Sequence, residues 1–184
     1  MSFADRISLL RILLAPAIVA CLVYYHPTRD SLRYLALGLF VLGMLSDAVD
    51  GFIARATKSQ SHAGAVLDPI ADKLLILSTL ISLSAIRGLP EFLRIPAWFN
   101  LVVISRDAVL IAGTMVIFGL TGTLSVKPSR LGKWTSAAQM LVIPAILLGW
   151  PFKLEVLAAV AVLTILSGVG YVRMGIALLG EPSK

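Results

Sequence analysis

A chain of 184 residues, 58% hydrophobic and only 14% charged, with a mean hydropathy of +0.92, does not have the composition of a water-soluble domain. Such a domain carries about 25% charged residues. The net charge of +6, without a basic cluster interleaved with aromatics, suits an anionic membrane surface or a phosphorylated substrate better than nucleic acid, and no nucleic-acid partner is expected.

About 20 apolar residues cross a bilayer. Six runs meet that length: Ile7 to Tyr25, Leu32 to Ala56, Leu67 to Ile86, Pro96 to Leu120, Lys133 to Trp150 and Leu154 to Leu179. A bilayer offers backbone groups no water, and no alternating strand pattern is present, so the runs are predicted to be helices. The expected fold is an all-α integral membrane protein, with six transmembrane helices in one bundle and one domain over residues 1–184. Met1 to Arg6 form a short N-terminal surface segment in this reading. Asp5, Arg6 and Arg11 interrupt any cleavable signal. The lone cysteine, Cys21, lies in an apolar run, reads as a small buried hydrophobe, and excludes an intrachain disulfide.

His26-Pro27, Gly88-Leu89-Pro90 and Trp150-Pro151 punctuate the runs, and Trp98, Trp134 and Trp150 stand near span ends as interface anchors. One side collects Arg6, Arg55, Lys58, Lys127, Arg130, Lys133, Arg173 and Lys184; the other has Arg29, Arg33, Arg87, Arg94 and Lys153. That excess puts both termini and the second-to-third connection in the cytoplasm. The expected location is a bacterial-type inner membrane, crossed several times, with the active site facing the cytoplasm.

That connection is flanked by four of the chain's seven aspartates: Asp47, Asp50, Asp68 and Asp72. They form the pattern D-x-x-D-G-x-x-A-R, eight residues, then G-x-x-x-D-x-x-x-D, with Gly51, Ala54, Arg55 and Gly64 at the other fixed positions. Spacings of three and four put each pair on one helix face. Carboxylates beside apolar spans are costly and need an occupation. Four together require cations, and an all-oxygen donor set suits Mg²⁺ or Mn²⁺. Gly51 and Ala54 keep one face shallow, Arg55 can meet a phosphate or an acid, and Gly64 frees the loop before the second pair. Pro69 is expected in the first turn of the third helix.

This pattern resembles, at all eight positions, the signature of the CDP-alcohol phosphatidyltransferases, and the six-span layout extends the likeness along nearly the whole chain. The resemblance implies metal-dependent transfer of a phosphatidyl group from CDP-diacylglycerol to an alcohol, with release of CMP. It implies a homodimer among membrane lipids, two divalent ions held by Asp47, Asp50 and Asp68, and Asp72 as general base beside the second ion. Gly51, Ala54, Arg55 and Gly64 would line the CDP-lipid site. The family's first span tends to begin with Asn and Thr; here Asp5 and Ser8 take those places, with Arg11 and Pro16 retained. Ser8 keeps a hydroxyl for the CDP-lipid, whereas Asp5 cannot replace an amide donor.

Leu67-Asp68-Pro69-Ile70-Ala71-Asp72-Lys73 is similar to the branch with glycerol-type acceptors, which includes phosphatidylglycerophosphate synthase and cardiolipin synthase. Arg106, Lys127, Arg130 and Lys133 are candidates for the acceptor site. Arg106 fits equally a structural pair with a span aspartate, and the other three fit a positive-inside cluster. The glycerophosphate enzymes usually show R-E and a further arginine eight residues on; this chain has Arg106-Asp107 and Thr114, closer to cardiolipin synthase. Glycerol 3-phosphate is placed narrowly ahead of phosphatidylglycerol, because the remaining cluster is strongly basic. A cation transporter ranks well behind, since the acids gather at one end of two spans and no internal repeat is present.

Overall fold

In the computed structural model six α-helices follow one another, with no strand among the described residues. They are α1 (Phe3–Val23), α2 (Ser31–Thr57), α3 (His62–Ala85), α4 (Ala97–Thr121), α5 (Arg130–Leu147) and α6 (Lys153–Gly180). The structure describes the backbone of residues 3–28, 30–57, 62–121 and 129–180. It describes the side chains of these except 3–7, 48, 50–57, 62–69, 117, 118, 120, 121 and 177–180.

Each helix matches one expected run, with shifted ends. Helix α1 already includes residues 3–6, which were expected to form a separate surface segment. Helix α3 begins at His62 rather than Leu67, so Pro69 lies seven residues in and not in the first turn. A proline there omits one backbone donor, which a helix surrounded by other helices tolerates. Helix α5 starts earlier than expected because Ser129 caps it: its Oγ accepts from the Gly132 N–H at 3.0 Å. It stops early at Gly149, whose φ of +74° is the left-handed conformation glycine adopts freely. Gly149 N–H donates to Ile146 O at 2.9 Å and Trp150 N–H to Ala145 O at 3.0 Å, the paired bonds of a Schellman ending, and Pro151 follows.

The chain divides into two compact units, Met1–Ile95 with Met140–Lys153, and Pro96–Gln139 with Leu154–Lys184. In the first, α1 lies along both α2 and α3. Its buried Leu14, Ala15, Ile18 and Leu22 recur at helical spacing and meet a core that includes Phe40, Leu75 and Leu83. At one end, Arg33 donates to Asp30 Oδ2 at 2.7 Å and to the Tyr34 hydroxyl at 2.8 Å, with its guanidinium also over the Phe92 ring. Lys153 Nζ donates to the carbonyls of Glu91 and Arg94 and so ties down the segment after α3.

The second unit buries a set of polar groups beside apolar residues such as Phe99, Val103 and Leu157, and its exterior is apolar. Arg106, Asp107, Thr135, Gln139, Thr164 and Ser167 are buried, while Leu101, Ile111, Met115, Ile165 and Ile176 are exposed. Water would oppose so much outward apolar surface, and lipid accepts it. The buried hydroxyls of Thr79, Thr135 and Thr164 donate to the carbonyl four residues earlier, which satisfies them inside apolar helices. By length and composition, Ala97–Val116 and Lys153–Ile176 are able to cross a bilayer, and Ser8–Val23 is a shorter apolar stretch. Among the described residues, these two helices are the ones that meet that length and composition.

Candidate active site

Two of the four motif acids have described side chains, and both meet the same arginine. Asp47 stands on α2 and Asp72 on α3. Arg11 reaches them from α1: Nη1 donates to Asp47 Oδ1 at 2.8 Å and also to Asp72 Oδ1. The Arg11 side chain is 0% exposed, whereas Asp47 and Asp72 keep 37% and 29% exposure. A guanidinium is expensive to bury without paired acids, and one nitrogen here serves two of them. The carboxylates therefore remain partly open while their backs are held.

The packing just behind this junction explains how three helices come so close. Gly43 lies one turn before Asp47, Leu14 three residues after Arg11, and Leu75 three after Asp72. A Cβ at Gly43 would lie 2.8 Å from Leu75 Cδ2 and 3.5 Å from Leu14 Cδ1. Glycine is thus the residue that admits α1 and α3 to the backbone of α2. Ser8 is fully buried one turn before Arg11 on α1.

Asp50, Gly51, Ala54 and Arg55 continue α2, and Gly64 and Asp68 belong to α3 ahead of Asp72. Their side chains lie outside the described residues. Asp50 is one turn beyond Asp47 and Asp68 one turn before Asp72, so both acid pairs are on helices, as the spacing predicts. Among the described residues no three metal-binding side chains gather. Asp47 and Asp72 supply only carboxylate oxygen, the donor type that hard divalent cations take.

Sequence reasoning did not assign Arg11 a role in the site. The signal was present: an arginine within the first apolar run needs an acidic partner, and the aspartates of the next two helices are the available ones.

The second unit holds another charged centre. Arg106 on α4, with 6% of its side chain exposed, donates from Nη1 to Asp107 Oδ1 at 2.8 Å and from Nη2 to Ser167 Oγ on α6 at 3.1 Å. The expected structural pair with a span aspartate is therefore present. A Cβ at Gly132 would lie 3.4 Å from Arg106 Nη2, so the first turn of α5 approaches this guanidinium closely. Arg130 and Lys133 flank Gly132 in that turn and are exposed; Lys127 lies outside the described residues. Thr114 Oγ1 lies 2.6 Å from the Tyr171 hydroxyl, and the Tyr171 ring packs where a Cβ on Gly113 would be. A neutral hydroxyl pair thus occupies the position where the glycerophosphate enzymes usually have arginine.

Residues 1–170 match the family model described as CDP-alcohol phosphatidyltransferase. The chain is similar to the CDP-diacylglycerol--glycerol-3-phosphate 3-phosphatidyltransferase of Cereibacter sphaeroides, 33% identical over 80% of this chain and 64% of that protein. The Haemophilus influenzae protein of the same name is 30% identical over 91% of this chain and 90% of its own length. A Mycobacterium bovis protein provisionally named cardiolipin synthase is 32% identical over 79% of this chain and 64% of its own. The chain thus spans just under two thirds of the length of some relatives and nearly all of others. This family is membrane-associated and generally uses divalent metals. The match over residues 1–170, with all eight signature positions inside it, shows that the chain belongs to the CDP-alcohol phosphatidyltransferase family.

Proposed function

We propose that this protein transfers the phosphatidyl group of CDP-diacylglycerol to glycerol 3-phosphate, releasing CMP and forming phosphatidylglycerophosphate. A hydroxyl oxygen of the acceptor bonds to the phosphatidyl phosphorus. The bond from that phosphorus to the CMP oxygen breaks, and the hydroxyl proton passes to Asp72. Arg11 holds Asp72 and Asp47 in place from behind, which supports a fixed geometry for both carboxylates. Asp47, Asp50, Asp68 and Asp72 would hold two divalent ions, Mg²⁺ or Mn²⁺, which neutralise the diphosphate when bound. Gly51, Ala54, Arg55, Gly64 and Ser8 are assigned to the CDP-lipid.

The observation that carries the choice of acceptor is the approach of α5 to Arg106. The N-terminal turn of α5, with Arg130 and Lys133, lies against a buried guanidinium at Gly132. A phosphomonoester carries about −1.5 to −2 charge at neutral pH and needs several cations. A helix N-terminus beside an arginine adds to that attraction. Similarity to two relatives named CDP-diacylglycerol--glycerol-3-phosphate 3-phosphatidyltransferase supports the same acceptor.

The second reading is cardiolipin synthesis with phosphatidylglycerol as acceptor. The neutral Thr114–Tyr171 pair favours it, and so does a cavity of about 440 Å³ between α4 and α6 with apolar walls beside Arg106. We further assign the protein six membrane spans in one catalytic domain, cytoplasmic termini in an inner membrane, and a homodimeric state, with no nucleic-acid partner. Purified protein in liposomes, given CDP-diacylglycerol and radiolabelled glycerol 3-phosphate, should yield labelled lipid and CMP. No labelled lipid, with cardiolipin formed from phosphatidylglycerol instead, overturns the first reading and establishes the second.

A further inference from the structure

We propose that Ser167 and Gly132 are positioning residues that fix the Arg106 guanidinium for the phosphate of a phosphomonoester acceptor. This rests on the assignment of Arg106 to the acceptor site.

Arg106 and Asp107 are sequence neighbours on α4, about 100° apart around the helix. Their 2.8 Å bond offsets charge, but a contact to one terminal nitrogen leaves the guanidinium plane free to turn about it. Ser167 adds a second anchor from α6, 61 residues away, to the other terminal nitrogen. A planar cation held at both ends has one orientation, and its value for phosphate recognition lies in that planar fork. The buried Nε has no partner among the described residues, so donor capacity remains beyond the two anchors.

Gly132 supplies the space. A Cβ there would lie 3.4 Å from Arg106 Nη2, 3.6 Å from Ser167 Oγ and 3.2 Å from Ser129 Oγ, the capping oxygen of α5. A methyl at this position would be tight against the helix cap and would fill the space beside the guanidinium and its anchor, in direct contact with both. The register of α5 against α6 is set one and two turns further on. Thr135 Oγ1 lies 3.3 Å from Leu163 O, and Gln139 Nε2 donates to Thr164 Oγ1 at 3.1 Å. Thr164 and Ser167 are three residues apart and share a face of α6. That face therefore both aligns α5 and holds the arginine that α5 approaches.

The test is steady-state kinetics of the full-length protein in liposomes, with Ser167→Ala, Ser167→Thr, Gly132→Ala and Arg106→Ala compared. Ser167→Ala should raise the KM for glycerol 3-phosphate about tenfold, the loss of one hydrogen bond to a charged group. The KM for CDP-diacylglycerol should stay within twofold. Ser167→Thr, which keeps the hydroxyl, should restore the acceptor KM, and Gly132→Ala should raise it. If Arg106→Ala raises the acceptor KM while Ser167→Ala and Gly132→Ala do not, the positioning role is wrong and the acceptor assignment stands. If Arg106→Ala leaves that KM unchanged, the acceptor assignment falls and this inference with it. If Ser167→Ala raises both KM values equally, its role is structural and the proposal is overturned. Should Ser167→Ala fail to fold, Gly132→Ala decides by the same split between the two KM values.

Discussion

Arg11 and Asp72, 61 residues apart in the chain, share a direct bond from Nη1 to Oδ1, and the same nitrogen also holds Asp47. The arginine is sealed in and the acids are partly open. The first helix thereby sets the position of acids borne by the second and third.

Replacing this arginine should be severe. Removing one partner of a fully buried ion pair costs about 3–5 kcal/mol; here the acids left behind are partly open to solvent, so the loss should fall below that range. Arg11→Ala should lower the thermal midpoint in detergent and abolish CMP release, while Arg11→Lys should retain part of the stability. A midpoint within a degree or two of wild type for Arg11→Ala would show that the bridge contributes little.

Metal dependence follows from the donor set. EDTA should stop CMP release, and Mg²⁺ or Mn²⁺ should restore it. Asp47→Asn should shift the metal titration of activity to higher concentration. Undiminished turnover after exhaustive chelation would rule out divalent ions at these carboxylates.

Base and ligand roles separate at Asp72. Asp72→Asn should lower turnover by about 10²–10⁴-fold, the usual worth of a positioned base. Binding of CDP-diacylglycerol, measured on the same protein, should persist. Parallel loss of binding and turnover would make Asp72 chiefly a holder of the metal.

Gly43→Ala tests the packing behind the site. The added methyl would sit 2.8 Å from the buried Leu75 Cδ2, so Leu75 must shift. Overpacking of this kind costs about 1–3 kcal/mol. The thermal midpoint should fall, and Leu75→Ala in the same chain should recover part of the loss. An unchanged midpoint for the single variant would mean that the Leu75 side chain yields without penalty and that the contact at Gly43 is not tight.

Helix count and the acidic motif were legible because each has a local signature. Apolar run length gives the helices, and spacings of three and four give the acid pairs. The ends were less legible. Helix α3 extends back to His62 through His-Ala-Gly-Ala-Val, a short stretch of mostly small residues that continues the helix beyond the apolar run, and α5 gains a turn from the Ser129 cap. Arg106 with Asp107 was legible as an adjacent pair; its bond to Ser167 was not, because no local pattern links residues 61 apart. Arg11 escaped for the same reason. Its partners belong to two other helices, and nothing near it in sequence shows that both accept from one nitrogen.

The Arg11 junction also bears on how such a chain is made. A ribosome delivers α1 before α2 and α3, and an arginine within an isolated apolar helix is costly in lipid, up to about 2.5–3.5 kcal/mol at the centre of a bilayer and less toward its ends. The acids that offset this cost follow 36 and 61 residues later. Where α1 enters a bilayer, its seat would therefore depend on the acids of α2 and α3 as well as on its own hydrophobicity.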